Sequence, residues 1–120
     1  MPLLISFDID GTLEVGDPPG LVSREMVRQV KRLGWLIGSC SDRPITHQRE
    51  VWHRLQIAVD FTVLKHRLAD VKGRFTADAY YHIGDTDVDH RYAREAGFRF
   101  LRADATTARA WGPSLFLPSG

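Results

Sequence analysis

The chain is expected to fold as an α/β domain, a three-layer Rossmann-like parallel sheet of about five strands with helices on both faces and no cap domain. Three observations carry this expectation. Short runs rich in Leu, Ile, Val, Phe and Tyr alternate with stretches of helical periodicity along the chain. The first run, Leu3-Leu4-Ile5-Ser6-Phe7, is too continuously apolar for a strand with one wet face, so it reads as a central strand covered on both sides. Acidic, hydroxyl and lysine residues then follow successive apolar runs, where open α/β sheets bind their ligands.

Taken in order, the first strand ends in Asp8-Ile9-Asp10-Gly11-Thr12-Leu13, and Glu14 to Leu21 is a loop rich in Pro and Gly. Ser23 is a good N-cap for a helix carrying Met26, Val27, Val30 and Leu33 on one face, stopped by Gly34. Trp35 to Cys40 reads as the second strand and Ser41-Asp42-Arg43-Pro44 as a turn, with Pro44 opening a helix that ends near Leu55. Phe61 to Leu64 is the third strand, running into Lys65, and Leu68 to Phe75 a short helical connection. Ala79 to Ile83 is the fourth strand, ending in Gly84-Asp85-Thr86-Asp87-Val88-Asp89 before a helix stopped by Gly97. Phe98 to Leu101 is a short fifth strand. A helical turn is expected around Ala105 to Trp111, and the two prolines of the tail from Gly112 to Pro118 favour an edge strand over packed coil.

The length of 120 residues suits one domain, 1–120, with room for a real core. An apolar share of 43% and a charged share of 26% are ordinary for a soluble globular protein, and no segment approaches the apolar length of a membrane span. The start shows neither a basic n-region nor a cleavage site, and the lone Cys40 has no partner for an internal disulfide, so a cytoplasmic location is expected. Sixteen basic against fifteen acidic residues leave a net charge of +1, which gives nucleic acid no bulk electrostatic case as a partner.

Asp8, Asp10 and Asp85 brought together would make a hard-oxygen cluster suited to magnesium, and magnesium points to phosphate. Lys65 would add a fixed positive charge, while the Ser41 hydroxyl and the loop amides after Asp10, beginning with Gly11, would donate to phosphoryl oxygens. A carboxylate could then attack phosphorus. Asp10, two residues from Asp8, would lie on the same side if the extended chain continued past the strand, close enough to protonate a leaving oxygen.

These residues resemble the motifs of the haloacid dehalogenase (HAD) superfamily. Asp8-Ile9-Asp10-Gly11-Thr12-Leu13 resembles its first motif in the D-x-D-G-T-L form of the phosphatases. Ser41 resembles the second motif, Lys65 the third, and Gly84-Asp85 with Asp89 the fourth in its G-D-x-x-x-D form. The resemblance runs from Leu3 to Leu101 and implies a small capless phosphatase. Asp8 would be the nucleophile that forms an aspartyl-phosphate, and Asp10 the general acid that later activates water. Magnesium would be held by the Asp8 side chain, the Asp10 main-chain carbonyl and the Asp85 side chain, with Asp89 supporting the metal waters or orienting Lys65. Asp42 departs from the T-G-R-P type, which carries Gly there, and its charge disfavours phosphate unless Arg43 or the metal offsets it.

Lys72 competes with Lys65 for the third role, and Ser39 with Ser41 for the second; Lys65 and Ser41 are preferred. His66, His82 and His90 lack paired ligands at zinc spacing and read as structural or surface residues. Trp35, Trp52 and Trp111 read as packing, with an oligomer contact through Trp111 to Leu117 as the alternative. Only Glu14 to Val22 separates the first motif from its helix, so the site should be open, closed by a bulky phosphorylated substrate or by a neighbouring copy in a homo-oligomer. Other readings are a HAD-like binding or regulatory module without useful turnover, and a nucleic-acid end phosphatase. A receiver domain is disfavoured because its phosphoacceptor would end the third strand, where Lys65 stands.

Overall fold

The computed structural model describes residues 2–116. Its strands are β1 (Leu4–Phe7), β2 (Leu36–Ser41), β3 (Phe61–Leu64), β4 (Tyr80–Gly84) and β5 (Arg99–Arg102). Between and after them run α1 (Arg24–Arg32), α2 (Ile45–Leu55), α3 (Leu68–Arg74), α4 (Asp87–Ala96) and α5 (Ala105–Arg109). All strand pairs are parallel, in the order β3-β2-β1-β4-β5. The expected doubly covered parallel sheet is therefore what the chain forms, with β1 in the middle.

Alternation along β1 sorts the core into two layers. Ile5 and Phe7, continued by Ile9, pack with Val27 and Val30 of α1 and with Val51, Trp52 and Leu55 of α2. Leu4 faces the other way, into a cluster with Cys40, Phe61, Leu68 and Val71 of α3 and Ala93 of α4. By the same parity Ser6 and Asp8 belong to the α3/α4 side, which fixes where the site is built. The helix boundaries have local causes. Ser23 caps α1 by accepting from the Met26 amide at 3.2 Å, and Thr86 caps α4 by accepting from the Asp89 amide at 3.1 Å. Gly34 and Gly97 follow their helices with φ of +82° and +78°, the left-handed geometry that glycine adopts without strain.

The tail departs from the edge strand expected of it. Among the described residues it forms a 3-10 turn, Pro113–Leu115, that delivers Phe116 to the core. The Phe116 ring is fully buried and meets Trp35, Tyr81 and Trp111 edge-on, with centroids 5.7, 5.3 and 5.4 Å away. The Tyr81 hydroxyl donates to the Phe116 carbonyl at 2.6 Å and the Trp111 indole N–H to the Met26 carbonyl at 2.9 Å. Aromatic burial thus overrides the strand preference of a proline-flanked segment, and Trp111 serves packing within the chain. Leu117 and Pro118, also assigned to the tail, lie outside the described residues.

No helix among the described residues is long and apolar enough to cross a membrane. Because Phe116 closes one end of the α1/α2 layer, Phe116→Ala should lower unfolding free energy by about 3 kcal/mol or more. Equilibrium denaturation in urea measures this, and a loss below about 1 kcal/mol would show that the tail is not part of the core.

Candidate active site

Pairing of β1 with β4 brings the acids together. The ladder runs to Phe7 opposite Ile83, and the Asp8 amide continues it by donating to the Ile83 carbonyl at 2.9 Å. Asp8 and Asp85 therefore leave neighbouring strands at the same end of the sheet. Asp89 joins them from the first turn of α4, and one carboxylate oxygen from each of Asp8, Asp85 and Asp89 lies within 4.8 Å of the others. Two glycines make room. A Cβ at Gly84 would come within 2.5 Å of the Asp89 side chain, and one at Gly11, whose φ is +77°, would overlap the Asp85 carboxylate.

Asp89 is fully buried, and its oxygens are surrounded by donors. Lys65 Nζ lies 3.2 Å and His82 Nε2 3.3 Å from Oδ1, while the Thr86 hydroxyl donates to Oδ2 at 2.8 Å and the Thr86 amide at 3.3 Å. Burial alone would push this carboxyl up. The hydrogen bond and charge of His82, the Thr86 hydroxyl and the charge of Lys65 outweigh it and hold Asp89 below the usual carboxylate range. On the far side of the imidazole, His82 Nδ1 meets the Ser6 hydroxyl at 2.9 Å. Since a carboxylate only accepts, His82 Nε2 carries a proton toward Asp89. Ser6, His82, Asp89 and Lys65 thus form one continuous chain under the site.

Asp8 bears the consequence of crowding. Burial, then the Asp89 charge, push its carboxyl up to about 8 against the opposing pull of Lys65 and a backbone hydrogen bond, with Asp85 adding to the rise. Three acids at this spacing with one lysine beside them carry excess negative charge, and a hard divalent cation bound by oxygen ligands is the group such a donor set fits. Lys65 is also shifted up: burial would lower it, but the charges of Asp8 and Asp89, the Asp89 hydrogen bond and Asp42 more than offset this and hold it protonated.

Asp10 is placed differently from the expectation. The strand ends at Phe7, and the Thr12 and Leu13 amides both donate to the Ile9 carbonyl, at 3.1 and 2.9 Å, so the chain turns instead of staying extended. The Asp10 carboxylate is not one of the clustered three. It pairs with Arg43, whose Nη2 donates at 2.6 Å and Nε at 3.1 Å, and it accepts from the Asp17 amide at 2.8 Å. The Arg43 hydrogen bond holds its carboxyl below the usual range.

The remaining residues fall as follows. Ser41 ends β2, buried, with its hydroxyl accepting from the Arg43 amide at 3.1 Å. Ser39 is tied into the α2 side by Gln48 at 2.7 Å and Trp52 at 2.9 Å, a packing role. The Gly11 amide donates to the Pro18 carbonyl at 2.6 Å, so it is engaged within its own loop. Lys72 donates to the Gly97 carbonyl at 3.1 Å, at the opposite end of α4 from Asp89, and of the two lysines Lys65 is the one in the acidic cluster. Cys40 is buried in the cluster with Leu4, Phe61 and Leu68, where burial, with the nearby charges of Asp8 and Asp89 adding to it, pushes its thiol up. His66 and His90 are exposed, whereas His82 is buried and its part in holding Asp89 was not expected from the sequence. The available signal was its position on the fourth strand, which pairs it with Ser6 once β1 and β4 are neighbours.

Among solved structures, the chain is similar to a hypothetical protein from Pyrococcus horikoshii OT3, at 19% identity and a TM-score of 0.39, over 92% of this chain and 44% of that one. It spans less than half of that protein's length. No protein-family model and no curated protein matches the chain.

The raised Asp8 carboxyl predicts a pH signature. Its folded value of about 8 exceeds the unfolded 3.8, so folding takes up a proton; the associated stability is full below pH 3.8 and is lost as pH rises toward 8. The metal-free melting temperature should therefore fall between pH 5 and 8. Asp8→Asn should flatten that slope, and so should saturating magnesium. A slope unchanged in Asp8→Asn would assign it to other groups.

Proposed function

We propose that this chain is a magnesium-dependent phosphomonoesterase with an open site, using Asp8 as the nucleophile. The observation that carries it is the convergence of Asp8, Asp85 and Asp89, backed by Lys65, at the ends of the central strands. The HAD-like order of motifs in the sequence supports the same chemistry.

Bound through Asp8 and Asp85, with the Asp10 main-chain carbonyl as in the family resemblance, magnesium would supply the positive charge that draws in a phosphoryl group and keeps Asp8 ionised. One Asp8 carboxylate oxygen forms a bond to phosphorus as the bond to the leaving oxygen breaks. Asp10, released from Arg43 and protonated, gives a proton to that leaving oxygen. It then takes a proton from the water that attacks the aspartyl-phosphate, releasing phosphate and restoring Asp8. Lys65 neutralises phosphoryl oxygens, and Asp89 keeps Lys65 fixed. Ser41 retains a hydroxyl hydrogen to donate, since its oxygen already accepts from the Arg43 amide. The loop from Asp8 to Ser23 and the turn from Asp42 to Pro44 are the only segments between the first two strands and their helices, which suits a substrate large enough to cover the site itself or a second copy that covers it.

A weakly active regulatory module is the second reading, favoured by one observation: Asp10 is tied to Arg43 instead of facing the acids. Turnover separates the two. Wild-type protein should hydrolyse an aryl phosphate with magnesium, and rates should fall by at least about 1,000-fold in Asp8→Asn or with a chelator. Magnesium binding without hydrolysis across a broad phosphomonoester panel would favour the regulatory module and overturn the enzyme.

A further inference from the structure

The turn that follows β2 carries two opposite charges, and each is engaged by a different flank of the site. Because β2 lies between β3 and β1, its turn can reach both. On the β3 side, Asp42 Oδ2 lies 3.5 Å from Lys65 Nζ, the same ammonium that holds Asp89. On the β1 side, Arg43 grips the Asp10 carboxylate through two nitrogens, the shorter contact being 2.6 Å. The lysine expected to meet phosphate and the acid expected to move protons are thus both engaged by adjacent residues of a single turn.

The two pairs differ in how easily they part. Asp42 has a side chain 83% exposed, so water replaces its contact with Lys65 at little cost, whereas Lys65 itself is 11% exposed. Arg43 and Asp10 are half-buried, at 24% and 35%, and the guanidinium fork fits a phosphoryl group as well as it fits a carboxylate. A phosphate dianion arriving beside Asp8 offers more charge to both cations than either carboxylate does.

Building on the phosphatase reading, we propose that Asp42 and Arg43 form an ionic latch across the site which the substrate's phosphoryl group opens, drawing Lys65 from Asp42 and Arg43 from Asp10. Arg43 then becomes a phosphate-binding residue. Asp10, relieved of its guanidinium partner, is free to turn toward the leaving oxygen and to accept and release a proton. Asp42 competes with phosphate and sets the affinity low, which makes the site selective for substrates that bring further contacts of their own. Asp42 is a positioning residue, since it acts through Lys65.

Titration calorimetry with inorganic phosphate in magnesium buffer tests the latch without depending on turnover. Asp42→Asn should bind phosphate about five-fold more tightly than wild type, and Arg43→Gln about five-fold or more weakly, with both melting within a few degrees of wild type. Arg43→Lys, which keeps the charge and loses the fork, should fall between wild type and Arg43→Gln. Phosphate affinity in Asp42→Asn equal to or weaker than wild type overturns the latch. If the wild type also hydrolyses an aryl phosphate, only the latch fails; no phosphate binding and no hydrolysis by any of these proteins removes the latch and the phosphatase reading together.

Discussion

A carboxylate removed from water is stable only when donors and counter-charge surround it, and Asp89 is removed completely. Much of the site follows from that requirement. Lys65 is held at the mouth of β3 because Asp89 accepts from it at 3.2 Å, and His82 is held between Ser6 and Asp89 because a polar ring inside the sheet needs partners at both nitrogens. Thr86 serves twice, as cap of α4 and as donor to Asp89. Gly84 has no side chain because Asp89 occupies the space where one would go. The same network that makes Asp89 comfortable leaves Asp8 crowded, so the burden of excess negative charge falls on the residue at the end of the central strand.

This division of charge gives the two neighbouring acids separate chemistry. Asp89 remains ionised at all ordinary pH and acts as a fixed support. Asp8 sits where burial and the Asp89 charge raise its carboxyl, so a cation placed beside it would favour its ionised form. Asp10 stands apart from both, ionised by Arg43, and its chemistry depends on a contact that crosses from the first strand's loop to the second strand's turn. The three acids therefore stand in three different electrostatic environments.

Much of this was legible from the residues. The continuous apolar run before Asp8, the periodicity around Val27 and Val30, and the glycines after two helices fix a parallel α/β sheet, since each reflects a local preference that tertiary packing did not override. The strand-end positions of Asp8, Ser41, Lys65 and Asp85 followed from that sheet. Side-chain direction past a strand end did not follow: Asp10 turns away because Ile9 accepts two amides, a turn that period-two reasoning does not anticipate. The role of His82 required knowing that β1 and β4 are neighbours, which is a matter of strand order and not of local sequence. Arg43 was visible beside Asp42 yet its partner was not, because the pair joins residues 33 positions apart. The tail misled for the opposite reason: its prolines signal where regular structure stops, and Phe116 with its three aromatic neighbours decides where the segment goes.

The central claim is that Asp8 bonds covalently to phosphorus, and it is tested most directly by chemical trapping. Protein mixed with an aryl phosphate and magnesium, quenched in acid within a single turnover and mapped by peptide mass spectrometry, should carry a phosphoryl group on Asp8, and Asp8→Asn should carry none. Hydrolysis that proceeds with Asp8 unmodified, or with the phosphoryl group on another residue, would contradict the account.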